Sequence, residues 1–167
     1  MNTELALVEI EECRAAMHRL VDSQFDLMVE CLQTGKPFPR RDVVLPLSTA
    51  PSRFKGSKPT AVIFPDGRRL EVTKWKAAVT AILQGCVDTP PYGDRLMAIR
   101  GKVMGRRRTI LGASPQGMDA PLEITPDLFM ESKFDTESLL YALTKLVLDP
   151  VGYDYGGIRI QLHQAER

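Results

Sequence analysis

Lys58-Pro59-Thr60-Ala61-Val62-Ile63-Phe64, then Pro65-Asp66-Gly67, then Arg68-Arg69-Leu70-Glu71-Val72, is the stretch whose reading decides the fold. Two short runs rich in β-branched and aromatic residues flank an Asp-Gly pair, and such a pair tolerates the positive φ that a tight hairpin needs. In that hairpin Ala61 and Ile63 face away from Val62 and Phe64, Leu70 and Val72 return the apolar face, and Arg68 and Arg69 leave the turn in solvent. Thr73 is placed to cap a helix opening with Trp75, the only tryptophan, and Trp75, Ala78, Val79, Ile82 and Cys86 follow the spacing of one buried face. A hairpin handing over to an amphipathic helix predicts an α+β domain in which a small antiparallel sheet is packed by two helices.

Toward the C-terminus, residues 88–94 read as a turn and residues 96–99 as a helix end or strand. Arg100-Gly101-Lys102-Val103-Met104-Gly105-Arg106-Arg107-Arg108 then packs five basic residues into nine positions, with glycines that imply a turn or loop presenting the arginines. Arginine pairs bidentately with phosphate and can read guanine edges, so this chemistry suits nucleic acid. An ordinary solvated hairpin tip, or a patch that meets an acidic protein, has the same composition. Farther on, Leu128-Phe129-Met130 is a short apolar run. Asp135 or Thr136 can cap a helix carrying Leu139, Leu140, Leu143, Leu146 and Val147, which Asp149-Pro150 should stop. Ile158, Ile160 and Leu162 alternate with Arg159 and Gln161 as a terminal half-buried strand.

Toward the N-terminus, residues 1–34 read as one long helix from about Thr3, with no proline or glycine inside it and with Gly35 and Pro37 to end it. Ile10, Cys13, Met17, Leu20, Gln24, Leu27 and Cys31 fall at alternating spacings of three and four, an a/d seam with a polar Gln24 in one slot. A second stripe of Val21, Phe25, Met28 and Leu32 widens the apolar face. The helix therefore either covers the domain's own core or self-associates, giving a homodimer. His18, between the stripes, is expected half-buried. Residues 35–57 are rich in prolines and turn formers and read as a linker with a short strand at Val43-Val44-Leu45, which leaves residues 58–167 as the α+β core domain.

The net charge of +1 conceals an uneven distribution: residues 1–50 carry −3, residues 51–118 carry +9 and residues 119–167 carry −5. A basic middle between acidic ends either marks a polyanion-binding surface or is neutralised across a mixed surface. Arg68, Arg69, Lys74, Lys76, Arg100, Lys102, Arg106, Arg107 and Arg108 are the candidate nucleic-acid contacts, with DNA favoured. Replacing Arg106, Arg107 and Arg108 together with alanine is expected to remove most binding and to leave unfolding nearly unchanged. The competing partner is a protein of a nucleic-acid machine, met by the acidic C-terminal block or by the double stripe of the first helix.

With 167 residues, 44% hydrophobic and 26% charged, the chain can bury one sizeable core. No run of about eighteen apolar residues exists, and Met1-Asn2-Thr3-Glu4 lacks a basic, apolar leader, so a cytoplasmic protein with no membrane partner is expected. Cys13, Cys31 and Cys86 match no zinc or redox spacing and read as reduced thiols; no metal or cofactor is expected. Phosphate loop, dinucleotide fingerprint, nucleophile elbow and metalloprotease helix are all missing from the sequence. Pro126-Asp127 followed by Glu131-Ser132-Lys133 superficially resembles the PD-(D/E)xK signature of restriction-type nucleases. That signature needs two acids and a lysine on adjoining strands around a metal, and three residues between Asp127 and Glu131 leave no room for the crossing. The expectation is a protein without catalysis of its own.

From Lys58 to Leu162 the order is Lys-Pro, hairpin, Thr73-x-Trp75-Lys76 opening a helix, a basic cluster, Asp127-Leu128-Phe129-Met130-Glu131-Ser132, a leucine-rich helix and Ile158-Arg159-Ile160-Gln161-Leu162. That order resembles a small accessory domain of bacterial mobile-element and DNA-defence proteins, where it accompanies nuclease-type domains. The resemblance covers about the last two thirds of the chain and implies a DNA-processing or phage-conflict setting.

Overall fold

A computed structural model describes residues 3–35 and 42–163; in the first helix it describes side chains from residue 10 onward, apart from those of 20, 24 and 27. The chain divides into two compact units, Met1–Arg40 and Arg41–Arg167. The first is the helix α1 (Thr3–Thr34), whose 32 residues rise about 48 Å at 1.5 Å each. Gly35, at φ +64°, supplies the left-handed residue that ends it. His18 is exposed, against the half-buried position its place between the stripes predicts.

The second unit runs β1 (Val43–Pro46), a 3-10 turn (Pro51–Phe54), β2 (Lys58–Ile63), β3 (Arg69–Glu71), α2 (Trp75–Val87) and α3 (Tyr92–Ile99). It continues with β4 (Val103–Met104), β5 (Thr109–Gly112), β6 (Pro121–Thr125), β7 (Leu128–Glu131), α4 (Thr136–Tyr141), a π-helical segment (Ala142–Leu148), α5 (Asp149–Val151) and β8 (Arg159–His163). The fold is α+β. Its strands form two four-stranded antiparallel sheets rather than one, ordered β1-β8-β2-β3 and β4-β5-β7-β6.

The expected hairpin forms, with Ala61 opposite Glu71, Val62 opposite Leu70 and Ile63 opposite Arg69; Val72 is buried, but Leu70, expected on the apolar face, is exposed on β3, the edge strand. Its turn is closed by Phe64 N–H donating to Arg68 O at 2.9 Å and by Gly67 at φ +85°, and Asp66 accepts the Arg68 amide at 2.8 Å. β8 inserts between β1 and β2, so the last strand of the chain completes the sheet that the hairpin begins. α2 packs on β2 of the first sheet and on β6 of the second, and Phe54, Val62, Ile82, Leu111, Met130, Leu143 and Ile160 belong to one continuous core.

Three local expectations change, and the choice of helix or strand for residues 96–99 is resolved. The stretch expected as linker belongs to the second unit from Arg41 on, because β1 pairs with β8 and Leu47 and Phe54 are buried; residues 36–41 lie outside the described residues. Thr73 does not cap α2: Lys74 takes the N-cap position with extended backbone and no side-chain hydrogen bond, while the Val72 amide still pairs with Thr60 O at 3.0 Å. Residues 96–99 are helical, as the end of α3. Asp135 does cap α4, accepting Ser138 N–H at 2.8 Å, but Asp149-Pro150 does not stop the helix. The missing proline donor falls where the register passes from π back to α, so the helix continues one more turn and ends at Gly152, φ +75°.

Candidate nucleic-acid interface

β4 and β5 form a hairpin whose tip is Gly105-Arg106-Arg107-Arg108, closed by Gly105 N–H donating to Arg108 O at 2.9 Å. Arg106 and Arg107 occupy the two central positions and are exposed, as is Lys102 at the start of β4. None of these three side chains makes an ion pair or hydrogen bond among the described residues.

Arg108 is different. Its guanidinium lies 3.1 Å from Asp119 and 3.8 Å from Glu131, and 5.8 Å from the centre of the Phe134 ring. Glu131 is 0% exposed, and its carboxylate accepts the backbone amides of Asp119 at 2.5 Å, Ala120 at 3.0 Å and Lys133 at 2.7 Å. Burial pushes the Glu131 pKa up, but the amides of Lys133, Asp119, Ala120 and Ser132 outweigh it and hold the group below the ordinary carboxylate value. Arg108 therefore neutralises a buried anion that ties the loop before β6 to the end of β7. Arg100 is anchored in the same way: it donates to Asp127 O at 2.7 Å, Asp127 Oδ2 at 3.0 Å and Met97 O at 3.1 Å. The hairpin is thus braced by an arginine at each end and presents two more at its tip.

The other expected contacts divide likewise. Arg69 pairs with Glu71 at 2.8 Å and donates to Gln161, which in turn donates to Asp42. Arg68 lies over the Phe64 ring at 4.4 Å, within 3.9 Å of Asp66. Lys74 and Lys76 flank Trp75 at the start of α2, exposed and without side-chain partners. Sequence reasoning passed over Arg53, Lys55 and Lys58, which stand exposed on the segment that meets Trp75. Their signal was three cations in six residues, of which Arg53 and Lys55 fell in the stretch read as linker and Lys58 at the start of the core domain.

Asp127, Glu131 and Lys133, the nuclease-like triplet, have separate duties, since Asp127 holds Arg100, Glu131 is enclosed by amides, and Lys133 reaches Asp119 at 3.4 Å. Among the described residues no group of three His, Cys, Asp or Glu side chains could hold a metal ion. A further cluster, Lys145, Asp149 and Tyr155, is a structural clasp: Tyr155 OH donates to Asp149 at 2.8 Å and Lys145 Nζ to Asp149 at 3.1 Å, fastening the following loop to the helix.

On α1, Ile10, Cys13 and Met17 of the expected seam are exposed and Cys31 is buried; the side chains of Leu20, Gln24 and Leu27 lie outside the described residues. The second stripe is exposed, Phe25 at 63% and Leu32 at 73%. No described helix is long and apolar enough to cross a membrane.

No family model, no characterised protein and no solved structure matches this chain.

Proposed function

We propose that this chain is a non-enzymatic nucleic-acid-binding protein, with DNA its favoured polymer and a mobile-element or phage-conflict system its setting. The observation that carries the reading is the braced β4–β5 hairpin, which presents Arg106 and Arg107 with no ion pair to an acid among the described residues. Unengaged guanidinium groups can bind backbone phosphate without first breaking an ion pair, and phosphate contacts make affinity depend on salt and only weakly on sequence. The setting follows from the resemblance of residues 58–162 alone. The test is a fluorescence-anisotropy titration of the protein against labelled duplex DNA, single-stranded DNA and RNA at about 50 and 200 mM salt. Micromolar or tighter binding that weakens steeply with salt is expected, and no binding at the lower salt would overturn the reading.

A second reading, a protein-binding adaptor or an inhibitor of a nucleic-acid machine, is favoured by one observation, the exposed Met17, Val21, Phe25, Met28 and Leu32 of α1. The occupant proposed for that face is a second copy of the chain, since a homodimer would bring two hairpins to one polymer and raise avidity without new contacts. Sedimentation equilibrium of the native chain should then give a dimer that Phe25→Glu converts to monomer. A monomeric native chain would remove the homodimer and leave the face to a different protein.

A further inference from the structure

The free cations of the second unit do not stop at the hairpin. Trp75 Nε1–H donates to Ser57 O at 2.9 Å, and its ring meets Phe54 edge-on at 5.6 Å, which fastens the 3-10 turn and the segment after it to the start of α2. Five cations, Arg53, Lys55, Lys58, Lys74 and Lys76, are gathered around that contact and exposed. None of their side chains makes an ion pair or hydrogen bond among the described residues.

Contacts across the fold put this group at the same end of the unit as the arginine hairpin. Arg108 stands over Phe134, and the next residue, Asp135, has its pKa lowered first by the Ser138 amide and also by the charge of Lys55. α4, which Asp135 caps, packs against Pro51–Phe54, and Phe54 touches Trp75. The acids at this end are engaged: Asp119 by Arg108 and Lys133, Glu71 by Arg69, and Asp135 as the cap of α4. Half-buried Glu137, in the shallow groove with Pro51, Ser52, Ser138 and Tyr141, bounds the positive surface.

The aromatic rings within the surface are engaged by the fold. The Trp75 ring meets Phe54 edge-on while its N–H donates to Ser57 O, Arg108 stands over the Phe134 ring, and exposed Tyr141 sits at the surface's edge, in the groove with Glu137. Single-strand binders rely on open aromatic faces, whereas cations spread over a folded surface fit the regular phosphates of a double helix.

We propose that the cations around Trp75 and the β4–β5 hairpin form one continuous surface for double-helical nucleic acid, read through its phosphates. This rests on the nucleic-acid reading above and adds to it a second contact group and a duplex preference. The experiment compares the native chain, an Arg106→Ala/Arg107→Ala variant and a Lys55→Gln/Lys58→Gln/Lys74→Gln/Lys76→Gln variant. Each is titrated against a mixed-sequence duplex and one of its single strands across a salt series, with thermal unfolding as a check on the fold. The glutamines keep the side-chain stems and remove only exposed charge.

The native chain should bind the duplex more tightly than the single strand. The quadruple variant should lose about tenfold or more in duplex affinity, and its log–log salt slope should become shallower by about three to four. A quadruple variant that binds like the native chain, while the hairpin variant is impaired, overturns the second contact group and leaves the nucleic-acid reading standing. Equal affinity for the single strand overturns the duplex preference. A native chain that binds neither polymer overturns both.

Discussion

Arg107 and Arg108 are consecutive and chemically identical, yet they do opposite things. Arg107 stands at a turn centre with its charge unanswered, and Arg108 turns inward to Asp119 and to the buried Glu131. The same contrast separates the hairpin's tip from its base, where Arg100 holds Asp127. A charge count along the chain cannot see this. Within residues 51–118, Arg68 and Arg69 pair with Asp66 and Glu71 of the same block, while Arg100 and Arg108 spend two of its +9 net charges on Asp127 and Asp119 of the acidic block that follows. The triple arginine-to-alanine replacement that the sequence recommends is therefore a poor probe, because its third member would loosen the loop that the first two leave untouched.

That contrast breaks most visibly at Glu131. Glu131→Ala leaves three backbone amides without their acceptor and Arg108 without its buried counter-ion, so chemical denaturation should show a loss of about 3–5 kcal/mol. The pH dependence sharpens it further. The native Glu131 pKa lies below its ordinary value of 4.5, so the stability that ionised Glu131 contributes is complete above about pH 4.5 and is lost as pH falls through the lowered native value. The stability gap between native chain and Glu131→Gln should thus be constant near neutrality and close progressively below about pH 4.5, and a gap that widened there would contradict ionised Glu131. Next in size is Arg108→Ala, expected to cost about 2 kcal/mol because the amides still satisfy most of the carboxylate. Smallest is Arg106→Ala with Arg107→Ala, which should change unfolding by no more than about 0.5 kcal/mol.

Much of this was legible in the sequence. Asp66-Gly67 between two β-rich runs specified the hairpin, whereas alternation alone misjudged its faces, since Ala61 and Val62 are both buried and Leu70 is exposed. Asp135 announced its helix through its capping carboxylate. The long first helix was equally plain, since neither proline nor glycine interrupts it. What escaped depended on partners distant in the chain. The strand at Val43-Val44-Leu45 was legible, but not its place in the core sheet, which depends on pairing with Arg159–His163, and Phe54 looks like a loop residue until Trp75 covers it. Thr73 had cap chemistry, but the ladder bond from Val72 to Thr60 kept the chain extended past it. For the candidate site, the arginine cluster stood out by composition. The division between bracing and free arginines did not, because Asp119, Asp127 and Glu131 enter from β6, β7 and their loops. The cations of residues 53–58 escaped for the same reason, being joined to Lys74 and Lys76 only through the Trp75 contact.

The most direct measurement sets Arg106→Ala/Arg107→Ala beside Arg108→Ala, reading duplex affinity at low salt and thermal unfolding for both. The expected outcome is crossed: the double variant keeps the native unfolding temperature and loses most of its binding, while Arg108→Ala unfolds several degrees earlier. A double variant that binds duplex as tightly as the native chain, or that unfolds as early as Arg108→Ala, would contradict the division of the tip into bracing Arg108 and binding Arg106 and Arg107.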